Sequence, residues 1–185
     1  MLSEIDQETI AVKTTPLILP LLLAVPSAAM AQSTDVALPD VVEFGASLET
    51  MTERLSEYCP EWNIRVIDPP FMPDVQDIQQ QLDCDGFDYM GEPRFAEFVF
   101  RDGILELLWM MVDADDEDRV IAAMRARYES EGLYFEGDGE TTPRIIGFQD
   151  HNTAWRFEPP EVLFYSEAMA PALEAAVEPP PTPDE

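Results

Sequence analysis

Lysine is almost missing from this chain: Lys13 is the only one, and the other nine cations are Arg. Histidine is represented by His151 alone and cysteine by Cys59 and Cys84. These shortages remove most of the residues from which zinc sites, Ser-His-Asp triads and thiol enzymes are assembled. Against the few bases stand 38 acids, for a formal net charge of −28. A field of that sign repels nucleic-acid phosphates and anionic lipid headgroups, which argues against both as partners. A run of roughly 20 apolar residues, the length of a spanning helix, is also missing. What is present is globular: 185 residues, 46% hydrophobic and 10% aromatic, suit one domain with a real core.

The longest apolar stretch, residues 16–31, is interrupted by Pro16, Pro20 and Pro26 and ends in the small-x-small pattern Ala29-Met30-Ala31. This reads as an export signal over 1–31, cleaved before Gln32. Glu4, Asp6 and Glu8 precede it where positive charge belongs. A true start at Val12 would restore an ordinary signal, with Lys13 as its charge. Gln32 is not Cys, so the chain is not expected to be a lipoprotein, and the processed protein is expected to be periplasmic. Losing three acids and one base with residues 1–31 leaves net −26 without Lys. That surplus suits salty surroundings, where screening over about 10 Å removes self-repulsion, or reflects a genome rich in Arg codons.

In an exported chain an even cysteine count implies pairing, and only Cys59 with Cys84 is available. The chain-entropy model assigns a 25-residue ring about 3.5 kcal/mol.

Residues 32–46 lack periodicity and read as a flexible lead-in to one domain over 47–177. Ser47 caps a helix with Leu48, Met51, Leu55 and Cys59 on one stripe, stopped by Pro60. Trp62, Ile64 and Val66 alternate in what reads as an extended arm inside the disulfide ring. Residues 78–84 read as a half-buried strand. Phe95 to Val112 holds two apolar runs joined by Asp102-Gly103, the signature of a type I′ hairpin. A regular register from that turn puts Ala96, Phe98, Phe100, Leu105, Leu107 and Trp109 on the core face. It leaves Phe95, Val99, Ile104, Leu108 and Met110 opposite, to be covered by the first helix, by the arm or by a partner. A helix follows through Val120, Ile121, Met124 and Tyr128, with acids in its first turn and Arg in its last. Strands are expected at 144–148, 153–157 and 162–165, and a short helix at 169–177. The Pro-rich acidic end, 178–185, is expected to be disordered.

The expected fold is α+β, an antiparallel sheet of about 4–6 strands with two or three helices mainly on one face. Asp83, Asp85 and Asp88 are the weak calcium candidate, but an EF-hand loop counted from Asp83 ends on Arg94, and solvated turn acids are the simpler account. His151 falls in a turn without a nucleophile in reach of the sequence. The composition therefore predicts a non-catalytic, protein-binding or structural module of the periplasm, with no cofactor. Its expected partner is another envelope protein or a second copy, met through Phe95, Val99, Ile104, Leu108 and Met110. The alternatives are a carboxylate-dependent hydrolase, marked by a deep pocket with converging carboxylates, and a calcium-stabilised binding domain.

Overall fold

The computed structural model describes residues 35–137 and 143–177. The proposed export signal and the Pro-rich end lie outside them. In chain order the elements are α1 (Leu48–Leu55), β1 (Glu61–Ile67), β2 (Gln79–Tyr89), β3 (Glu92–Arg101), β4 (Ile104–Met111), α2 (Glu117–Tyr128), β5 (Leu133–Phe135), β6 (Ile145–Phe148), β7 (Thr153–Arg156), β8 (Glu161–Tyr165) and α3 (Ala170–Val177). The strands form one antiparallel sheet in the order β1-β2-β3-β4-β8-β7-β6-β5. The α+β class stands. The strand number does not: there are 8 among the described residues, because the Trp62–Val66 arm is itself a strand and the three-residue β5 is too short for a periodic signal.

Two tight turns organise the centre. Met90-Gly91 and Asp102-Gly103 both have positive φ at each residue, the type I′ geometry that matches strand twist. The Asp102 carboxylate also accepts hydrogen bonds from the backbone N–H groups of Gln76, Asp77 and Ile78, tying the 68–78 loop to the hairpin tip. These donors hold its pKa below the usual carboxylate range.

Two bulges then decide which side chains share a face. Gly86 (φ +84) interrupts the β2–β3 register, so Leu82 and Cys84 before it and Phe87 and Tyr89 after it all enter the same core. In β4 the extra residue is Glu106: Phe100 faces Leu105, but Val99 faces Leu107 and Phe98 faces Leu108. The Glu106 carbonyl accepts from Ser166 N at 2.9 Å, and its carboxylate is held by Arg101 Nη2 at 2.6 Å and by the Ser166 hydroxyl. The regular register expected from the turn is thereby corrected. Leu108 and Met110 join Ala96, Phe98, Phe100 and Leu105 in the main core, while Leu107 and Trp109 turn to the other face.

Helices α1 and α2 cover the main core through Met51, Leu55, Val120, Ile121 and Met124. The expected lead-in is ordered from residue 35 onward against this core. Val36 and Val42 are buried, and the Tyr89 hydroxyl donates to the Val36 carbonyl. α2 ends at Glu129 in the left-handed conformation, and Gly132 (φ +73) follows where a Cβ would run into Ile146. A smaller core on the opposite face gathers Met72, Val99, Leu107, Leu163, Tyr165 and Met169, with Leu173 of α3 against it. Both faces of the central strands are therefore covered, with two helices on one and α3 on the other.

Cys59 and Cys84 are bonded, with Cα atoms 5.4 Å apart. Replacing both by Ser is expected to cost about 3.5 kcal/mol, read as a lower urea midpoint at unchanged slope. A variant as stable as the parent would show that the ring adds nothing beyond native packing.

Candidate protein-binding edge and the charged clusters

The disulfide sets the position of β1. α1 ends at Leu55, and Pro60 packs beside Gly86, where no side chain intrudes. One residue on from Pro60 the strand begins, and Trp62 stands directly across from Cys84. The bond thus clamps the start of β1 to the middle of β2. Along β1 the side chains alternate. Asn63 and Arg65 point to the face where Asp83 accepts from Arg65 Nε at 2.8 Å and from Asn63 Nδ2 at 3.3 Å, and where Arg65 also reaches Glu97. Trp62, Ile64 and Val66 point to the face of the main core but lie beyond the cover of the helices, and they are 46%, 40% and 59% exposed. All but the last residue of the strand are exposed, and among the described residues no strand pairs with its outer edge.

The five residues expected to form a partner surface are dispersed. Val99 is buried under Met72 and its neighbours, Leu108 and Met110 lie in the main core, and only Phe95 and Ile104 keep exposure. The Glu106 bulge separates them, turning Leu108 and Met110 into the main core and away from the face of Phe95, Val99 and Ile104. The three calcium candidates do not converge either. The Asp83 carboxylate is filled by Arg65, Asn63 and Gln81 Nε2, the last at 2.6 Å. Asp83 and Asp85 line one groove with Glu61, Trp62 and Phe95, while Asp88 lines another with Asp35 and Asp40. His151 is exposed in a 3-10 turn and stacks on Tyr128 at 4.6 Å.

The one group of carboxylates within metal-ligand distance among the described residues is Glu92, Asp113 and Asp116. Sequence reading missed it because it assembles only when β3 meets the start of α2. Its centre already holds a cation. The Arg94 guanidinium, 4% exposed, donates to Glu92 and Asp113 at 2.7 Å each and to Asp116, and Arg119 closes the ring from α2. The hydrogen bond from Arg94 holds the Asp116 carboxyl below its usual range. Charge pairing with the protein's own guanidinium makes this cluster a staple between β3 and α2.

Burial acts in the opposite direction on Glu161, at the start of β8. It has no exposed surface, and its carboxyl group is in direct contact with the Arg156 guanidinium across β7–β8. Desolvation pushes its pKa up to about 8, with Arg156 pulling the other way and Glu97 adding to the rise. No helix among the described residues is long and apolar enough to cross a membrane. No protein-family model matches the chain, and neither the curated proteins nor the solved structures hold a match to it.

Proposed function

We propose that the protein is an exported, non-catalytic protein-binding module of the bacterial periplasm that takes up an extended segment of another envelope protein along the free edge of β1. One observation carries this reading: a strand of 7 residues presents Trp62, Ile64 and Val66 to solvent with its outer backbone groups unpaired. Such an edge is a template for strand addition, in which main-chain hydrogen bonds give affinity and alternate side chains give specificity. Edges protected against pairing carry Lys, Pro or inward charge, whereas the one cation here, Arg65, is engaged by Asp83 and Glu97. Glu57, Glu61, Asp68 and Asp85 around the strand are exposed acids. With the net charge of −26 left after residues 1–31 are removed, they favour an apolar segment interspersed with Lys or Arg, and they make a second copy of this chain the electrostatically poorer partner. The disulfide supports an oxidising compartment. Its formation also consumes both thiols, and the assembled carboxylates Glu92, Asp113 and Asp116 are charge-paired with Arg94 and Arg119.

An acetylated octapeptide of alternating Val and Lys is the probe. Calorimetry is expected to show binding that weakens as NaCl rises, and Ile64→Lys is expected to weaken it at least tenfold with an unchanged melting temperature, because Ile64 is already 40% exposed. Equal binding by the variant would overturn the reading. So would sedimentation showing a dimer that tightens with salt, which would install a second copy on the edge.

A further inference from the structure

At the end of the sheet remote from β1, the face carrying α3 opens into a cleft of about 260 Å³. Its floor and walls are Trp109, Phe135, Ile145, Leu163, Tyr165 and Leu173. The floor stays open at Gly147, where a Cβ would meet Phe135 at only ordinary contact distance, 3.6 Å, so any larger side chain would enter the space. An apolar cavity of roughly 150 Å³ is enough to hold benzene, and this one has room for a ring or a medium-length chain.

The cleft has one cationic wall. Arg156, from β7, stacks its guanidinium 4.5 Å from the Trp109 ring centre, and its Nε is buried with no acceptor. A buried N–H without a partner costs free energy and marks where an acceptor belongs. The other charged or titratable groups toward Arg156 come from three elements: Glu161 and Tyr165 of β8, Glu97 of β3 and Glu174 of α3. Burial keeps Tyr165 uncharged, its pKa pushed up to about 12. Glu161, raised to about 8, carries its proton at neutral pH and leaves the Arg156 charge standing. Among the described residues that line the cleft, Glu174 is the remaining carboxylate, and it opposes an anion there.

We propose that the cleft is a binding site for a small alkyl or aryl carboxylate, with its apolar body against Trp109, Leu163 and Tyr165 and its carboxylate accepting from Arg156. The site is separate from the β1 edge, and a charge-assisted hydrogen bond in an apolar surround gives it both affinity and a preference for the head group.

The probe is octanoate, followed by tryptophan fluorescence and calorimetry on the intact protein, with octanol and octylammonium as head-group controls. Octanoate is expected to bind at least tenfold more tightly than either control. Its affinity is expected to fall about tenfold as pH rises past 8, where ionised Glu161 takes Arg156 for itself. Arg156→Gln is expected to abolish the preference over octanol, Glu174→Gln to tighten octanoate about threefold, and Gly147→Leu to block all three ligands. The wild-type head-group and pH comparisons need no variant to fold. Equal binding of octanol and octanoate, a flat pH profile, or no saturable octanoate binding would overturn the proposal. Retained binding of the Val-Lys peptide in the same samples keeps the edge reading apart from this one.

Discussion

Val99→Ser combined with Leu108→Ser is expected to leave the protein unfolded at 25 °C. Both side chains have no exposed surface, and they sit in different cores on opposite faces of the sheet, Val99 with Met72 and Met169, Leu108 with Phe98 and Phe164. Shortening a buried Leu costs about 2–5 kcal/mol, and placing an unpaired hydroxyl in each cavity adds about 1–3 kcal/mol. The combined loss is comparable with the whole stability of a domain of this size, about 5–15 kcal/mol. Circular dichroism of the double variant should show no cooperative melt, and each single variant should retain one at a lower temperature. A double variant that melts like the parent would mean that neither side chain is buried.

That experiment rests on a register that alternation alone does not reveal. The Asp102-Gly103 turn is legible, and so are the two strands on either side of it, because the turn chemistry leaves few other conformations. The bulge is not legible, since Glu106 in an alternating pattern passes for an ordinary outward residue. A second signal was present in Leu107-Leu108-Trp109-Met110-Met111. Five apolar residues in succession belong to a strand covered on both faces, and neither face of such a strand is spare for a partner.

The edge strand shows the complementary case. The alternation Trp62-Ile64-Val66 is visible, but whether such a strand is covered or exposed depends on its place in the sheet order, which the disulfide to Cys84 and the β2–β3 hairpin decide. The Arg94 cluster is invisible for a similar reason. Its members are separated by up to 27 positions, from Glu92 to Arg119, and meet only when the first turn of α2 docks on β3. Local propensity carries the helices, turns and central strands. The charge constellations are products of long-range packing.

Glu161 gives the fold a pH dependence of unusual sign for an acidic protein. In the unfolded chain its carboxyl ionises near its ordinary value of 4.5, whereas burial in the folded protein holds the proton to about 8. Between these values the folded state binds more protons than the unfolded state, so stability is fully present below 4.5 and is lost as pH rises through about 8. At 1.36 kcal/mol per unit, the loss is on the order of 5 kcal/mol. Asp102 and Asp116, whose carboxyls are held below their ordinary value of 3.8, act in the opposite sense and only in more acidic solution. The window from pH 5 to 8.5 is therefore dominated by Glu161 among the shifted carboxyls. Urea unfolding of the parent is expected to lose several kcal/mol across that window. Glu161→Gln keeps the size of the side chain without the charge, so it should hold nearly level and be the more stable protein at pH 8.5. Parallel pH profiles for parent and variant would mean that Glu161 is ionised throughout and that its contact with Arg156 fully offsets the cost of burying it.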